Sequence, residues 1–176
     1  MALAAALLGA TLPAAAQQSA FYAGVSAGLT DGSGCSGFAG VGLLSCDDRD
    51  TGMKIFGGMN FTRNFAAEIG WVDLGTLDAS GAGGTAHVSV DGFQAAGLGI
   101  LPLSPDFRAF GKLGLYLWDA SASGPGATGG NGTDFMFGGG VLWSIAPRFE
   151  LRGEWERYNT DEADVNLYSV GVQYRF

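Results

Sequence analysis

No lysine or arginine precedes Arg49, and the 176-residue chain holds one histidine, His87, and two cysteines, Cys35 and Cys46. Each scarcity removes a class of function. A lone histidine and no thiol pair at ligand spacing leave no tetrahedral zinc set, so no metal and no cofactor is expected. The formal net charge of −8 argues against nucleic acid as a partner. Beyond the first 16 residues there is no run of about 18 apolar residues, which excludes a transmembrane helix. Only 5 prolines accompany 31 glycines, a mixture that fits neither collagen nor a helical bundle.

Residues 1–16 read as a secretory signal peptide, with an apolar core from Leu3 to Leu12 and Ala14-Ala15-Ala16 before Gln17. Its basic start is missing, so a truncated leader is expected, followed by one domain over 17–176. The two cysteines share one Gly/Ser/Asp stretch, which suits an exported chain with a local Cys35–Cys46 disulfide. Closing so short a loop would contribute about 2–3 kcal/mol in the chain-entropy model.

What the chain does have is a period. Phe65, Phe107 and Phe149 are spaced by 42 residues, and each follows a short polar break: Thr62-Arg63-Asn64, Ser104-Pro105-Asp106 and Ala146-Pro147-Arg148. Each break separates two runs of alternating apolar and small or polar residues, while longer Gly-, Ser-, Asp- and Asn-rich stretches lie between the breaks. Short turns alternating with long loops at a hairpin period describe an up-and-down antiparallel sheet.

Read in steps of two, the segments divide into faces. One face carries Phe21, Val25 and Leu29; Met53, Ile55 and Phe61; Phe65, Ile69 and Trp71; Leu113, Leu115 and Leu117; Phe135, Val141 and Trp143; Leu151 and Trp155; Tyr168, Val170 and Val172. In the segment from His87 to Leu101 both faces are small or apolar. There Phe93, Ala95 and Leu101 are placed outward and Gln94, Leu98 and Ile100 inward. Eight strands of about ten residues fit the ~9–11 that cross a tilted bilayer path. In hydrocarbon an open edge would leave backbone groups unpaired at several kcal/mol each, so the sheet must close. The fold class expected is therefore all-β, an eight-stranded antiparallel up-and-down transmembrane β-barrel of the bacterial outer membrane.

The charged residues fall on the opposite face. Counted upward from the phenylalanines, Arg108 shares a level with Glu150, Glu68 with Arg152, and Lys112 with Glu154; Lys54 and Glu156 sit higher. Buried ions persist when paired and hydrogen-bonded. An eight-stranded barrel is just wide enough to be filled by its own side chains. A lumen plugged by Lys54, Glu68, Arg108, Lys112, Glu150, Arg152 and Glu154 is expected; a small ion-conducting pore is the alternative. Gly114, on this inward face, is expected to accept serine far more cheaply than Leu115 accepts arginine.

The chain resembles the OmpA-like eight-stranded outer-membrane barrel family, in its short form, over about residues 20–176. The likeness is carried by Phe65-Ala66-Ala67-Glu68-Ile69-Gly70-Trp71-Val72-Asp73-Leu74-Gly75, Leu101-Pro102-Leu103 and Phe110-Gly111-Lys112-Leu113-Gly114. It continues through Gly139-Gly140-Val141, Ile145-Ala146-Pro147, Arg152, Glu154 and Gly171-Val172-Gln173-Tyr174-Arg175-Phe176. The resemblance implies that Tyr174 and Phe176 form the signal read by the barrel-assembly machinery. It also implies that Glu68 and Arg152 match an interior acid–base pair proposed to gate the lumen. That pair's alternative partners fall here on Leu98 and Leu142, which favours a permanently closed plug, and the short form is expected, without the family's peptidoglycan-binding domain.

Long loops are expected at 31–50, 76–86, 119–133 and 159–164, rich in aspartate, where recognition usually resides. Expected partners are outer-membrane lipid and lipopolysaccharide, the assembly machinery, and a host or surface ligand at the loops. A lipid A-modifying barrel enzyme is the rival class, because His87-Val88-Ser89 puts a base and a nucleophile on one strand face with Asp91 next. The three-residue match is weak, and the chain is read as no enzyme.

Overall fold

The computed structural model describes residues 21–32, 43–47, 49–81, 84–123, 129–159 and 164–176, with backbone alone at 43–47, 49, 77–81 and 84–86. Among them the strands are β1 (Phe21–Gly32), β2 (Leu43–Asp47), β3 (Arg49–Asn60), β4 (Phe65–Gly81), β5 (Gly84–Pro102), β6 (Phe107–Ser123), β7 (Gly130–Ala146), β8 (Phe149–Asn159) and β9 (Asp164–Arg175). All ladders are antiparallel. Eight strands form a closed ring in which β1 pairs with β3 on one side and β9 on the other, and β4 with β5 completes the circuit. The ninth, β2, is a short addition beyond the end of β3, pairing Cys46 with Ala79 and Asp47 with Asp78 on β4.

The 42-residue period has a backbone cause. In the first two breaks the amides of Phe61 and Thr62, and of Leu103 and Ser104, donate to the carbonyl of the following phenylalanine, Phe65 or Phe107. The Thr62 and Ser104 hydroxyls in turn accept from those phenylalanine amides at 3.0 and 3.1 Å. The residue before each phenylalanine then ties its turn to the next hairpin. The carbonyls of Asn64, Asp106 and Arg148 accept from Ile100 on β5, Ser144 on β7 and Arg175 on β9, at 2.7, 2.8 and 2.8 Å. Three turns at one rim, each stitched to a neighbour, set a common floor from which the strands rise.

Alternation does the rest. Phe21, Ile55, Ile69, Leu113, Phe135 and Val170 are exposed on the outer wall, whereas Tyr22, Phe56, Glu68, Lys112 and Arg152 are buried inside. The ambiguous segment follows the same parity, with Phe93 and Leu101 outward and Gln94, Leu98 and Ile100 inward.

Two expectations need correction. The strands are not uniformly about ten residues long: β4, β5, β6 and β7 have 17, 19, 17 and 17 residues, against 11 or 12 for β1, β3, β8 and β9. Much of the sequence read as loops at 76–86 and 119–133 continues the ladder instead, with Leu77 opposite Val88 and Ala120 opposite Gly130. There the sequence is rich in Gly, Ser, Ala and Thr, so no apolar stripe marks the strand. The bend at the base of this extension is local. The β4–β5 register shifts between Asp73 and Thr76. There Gly75 takes φ +85, which favours glycine, and the Asp73 carboxylate accepts from the Gly75 amide at 2.9 Å.

The second correction concerns Gly114. A Cβ there would lie 2.2 Å from the Ala95 carbonyl oxygen and 2.7 Å from the Ala96 Cα, so a side chain must push β5 and β6 apart. Gly111, facing outward, has open space at the same position. Gly114→Ala is expected to cost about 1–3 kcal/mol through overpacking, and Gly111→Ala much less. Urea midpoints in lipid vesicles measure the difference, and equal midpoints would contradict it.

Candidate functional site

The interior is layered. Nearest the turn rim, Glu150 on β8 is fully buried and surrounded by donors. Arg108 donates to it, Ser144 Oγ at 2.9 Å, Gln173 Nε2 at 2.8 Å, and Arg175 Nε lies 3.4 Å away. One step inward, the Arg152 guanidinium is held by two carboxylates and two aromatic rings. Nη1 donates to Glu68 Oε2 at 2.6 Å and Nη2 to Glu154 Oε1 at 2.7 Å. The rings of Phe56 and Phe110 stand 4.5 Å away on the guanidinium carbon. Tyr22 Oη donates to Glu68 at 3.0 Å, and Gln173 bridges from Arg152 to Glu150.

Above Arg152 the network branches. Lys112 Nζ lies 2.7 Å from Glu68, 3.0 Å from Glu154 and 2.7 Å from Glu156, and Lys54 bonds both Glu154 and Glu156. Three cations (Lys54, Lys112, Arg152) thus face three carboxylates (Glu68, Glu154, Glu156), all but excluded from solvent. Desolvating any one ion costs several kcal/mol, so the group is stable as a set and each member depends on the others.

The structure therefore brings Lys54, Glu68, Arg108, Lys112, Glu150, Arg152 and Glu154 together in the lumen. The pairs drawn from counting levels, Arg108–Glu150, Glu68–Arg152 and Lys112–Glu154, are all in contact. Counting missed the links across levels, such as Lys112 to Glu68 and Glu156, and the part of Tyr22 and Gln173. Leu98 and Leu142 are buried beside this layer and offer no polar atom.

Beyond the charges, towards the long-strand end, the filling turns largely apolar, with Gln94 and Thr30 buried in it and Tyr158 Oη donating to Gln94 at 3.0 Å. Val72, Tyr116, Met136, Tyr158 and Leu167 have no exposed surface, and the Tyr116 and Tyr158 rings meet edge-on at 4.7 Å. At the opposite rim Phe149, Tyr174 and Phe176 form an outward aromatic string with centroids 5.1 and 5.2 Å apart. Phe107 stacks on Trp143 at 5.5 Å in the same girdle.

Ser89 Oγ lies 2.9 Å from Thr76 Oγ1, and Asp91 accepts from Trp71 Nε1 at 3.2 Å, so both groups are engaged across the β4–β5 seam. Among the described residues no cluster of His, Cys, Asp and Glu could hold a metal ion. The Cys35–Cys46 pairing and the signal peptide over 1–16 lie outside the described residues, apart from the backbone of Cys46.

A closed antiparallel ring, apolar outside and ionised within, is an integral barrel of the bacterial outer membrane. The chain belongs to the outer membrane protein beta-barrel domain family, whose model matches residues 2–176, and within it to the OmpA-like eight-stranded barrels. Outer membrane protein A of Salmonella typhi is 27% identical over 181 residues, covering 93% of this chain and 50% of that protein. The chain thus spans about half the length of the curated relatives it matches. In fold it is similar to Neisserial surface protein A, with a TM-score of 0.63 at 16% identity over 89% of this chain and 97% of that one. It is also similar to Ail, the attachment invasion locus protein of Yersinia pestis, with a TM-score of 0.57 at 14% identity over 90% and 100%. Ail has also been solved with the heparin analogue sucrose octasulfate.

Proposed function

We propose that this protein is a closed outer-membrane anchor, plugged by its own ion-paired side chains, whose extended extracellular rim is a surface for interaction. The observation that carries this reading is the balanced set of three cations and three carboxylates centred on Arg152. The cavity at the turn rim, lined by Tyr22, Arg108, Glu150, Arg152 and Gln173, measures about 10 Å³, room for one water. A permanently shut lumen leaves structural and surface roles rather than transport or catalysis.

The surroundings follow from the two rims. The apolar wall sits in lipid beside lipopolysaccharide, and the Phe149–Tyr174–Phe176 string is where the assembly machinery would read the last strand. Residues 1–16 would be removed on export, and a Cys35–Cys46 disulfide would brace the first extracellular segment. That rim bears Asp31, Asp50, Asp73, Asp91, Asp119 and Asp134. Its like charge disfavours a polyanion of the kind seen on Ail, so the surface ligand here differs in chemistry.

Two measurements test the reading. Outer-membrane fractions run with and without boiling are expected to show two mobilities, the folded form shifting only on heating. Purified protein in planar bilayers is expected to give no discrete conductance steps. Steady openings of the unmodified protein would overturn the plug.

A further inference from the structure

Two different blocks stand in series along the lumen, and only the one nearer the turn rim is ionic. The other is the group Val72, Tyr116, Met136, Tyr158 and Leu167, each without exposed surface. These residues come from β4, β6, β7, β8 and β9, so they converge from most of the ring. The two tyrosine rings touch across the interior at 4.7 Å. Leu167 reaches past β1 towards β3, its Cδ1 lying 2.8 Å from where a Cβ on Gly52 would stand. The small cavity, by contrast, lies on the turn-rim side of Arg152. Water can approach the charges from that side.

We propose that this aromatic and aliphatic cap is a second seal, which stops hydrated ions and small polar solutes from the extracellular side by excluding water rather than by pairing charge. It rests on the closed-lumen reading above and adds a block of a different physical kind. A constriction filled by packed rings and aliphatic chains bars a hydrated ion, because the polar groups it would meet there, the Tyr116 and Tyr158 hydroxyls with Gln94 and Thr30, are uncharged and replace a water shell poorly. Disrupting the charged layer therefore hydrates it from the turn rim and leaves the barrel shut at the cap.

The test compares planar-bilayer conductance of three variants, each first shown to be folded by its heat-dependent mobility. Glu68→Ala with Arg152→Ala opens the charged layer; Tyr116→Ala with Tyr158→Ala opens the cap; the third combines all four. Discrete openings are expected only in the combined variant. Openings of equal size in the charged-layer variant overturn the cap and leave the plug reading intact. Openings in the cap variant alone overturn the plug reading and make the cap the sole seal. A folded but silent combined variant overturns the cap. Should the tyrosine variants fail to fold, Met136→Ala with Leu167→Ala takes their place. A separate measurement needs only a small change: Ser169→Cys, just beneath Leu167, in a Cys35→Ser, Cys46→Ser background. A membrane-impermeant thiol reagent given to whole cells is expected to leave it unlabelled, and labelling at the rate of an exposed thiol overturns the cap.

Discussion

Replacing Arg152 by methionine is expected to destabilise the folded barrel by about 3–5 kcal/mol, the cost of removing one partner from a buried ion pair. Its guanidinium serves Glu68 and Glu154 at once, so the change leaves three carboxylates facing only Lys54 and Lys112. Added Glu68→Gln returns the set to two against two and still offers Tyr22 an acceptor. The double variant should therefore be more stable than Arg152→Met alone, although it departs further from the natural chain. Urea unfolding in lipid vesicles, followed by tryptophan fluorescence and gel mobility, reads both. If the second substitution lowers stability further, Arg152 is held by its two flanking rings and not by its charge partners.

Leu115→Arg is expected to cost about 2–4 kcal/mol, the penalty for a cation on the lipid face near the bilayer midplane. Leu115 lies in the middle of the outer row of β6, between Leu113 and Leu117, with Ala95 and Phe135 opposite on the adjacent strands. The control is Ser26→Ala, an inward position whose hydroxyl is buried without a partner. Deleting an unsatisfied polar group should be near neutral or slightly stabilising. The same urea titration compares them, and equal losses would mean that the two faces had been exchanged.

These contrasts show which parts of the molecule are legible in residues and which need coordinates. The faces are legible because a bilayer forces period-two chemistry on every crossing strand; even the small-residue segment around Gln94 resolves once Phe93 and Leu98 are assigned opposite sides. The turns are legible because Thr62 and Ser104 occupy equivalent places before phenylalanine. The strand extensions in β4 to β7 are not, since outside hydrocarbon Gly, Ser and Thr can pair through backbone alone with no stripe to betray them. The charged layer is legible as a set of acids and bases, but not as a wiring diagram. Strand tilt and shear displace neighbouring levels. Lys112 therefore meets Glu68 and Glu156, although counting from the turns puts all three at different heights. The Phe56 and Phe110 rings against Arg152 gave a signal, two aromatics at inward parity beside charges, which alternation alone would dismiss as noise.

The seam between β1 and β9 joins Ala23 to Tyr174 and Leu29 to Tyr168, partners almost a full chain apart. Every other neighbouring pair in the ring can zip locally as a hairpin, but this one must wait for nearly all the protein to be made. Until then both bordering strands are bare templates on which another molecule could add. Ring closure is thus a late, entropically costly event, and the newborn chain needs escort for as long as that gap stays open.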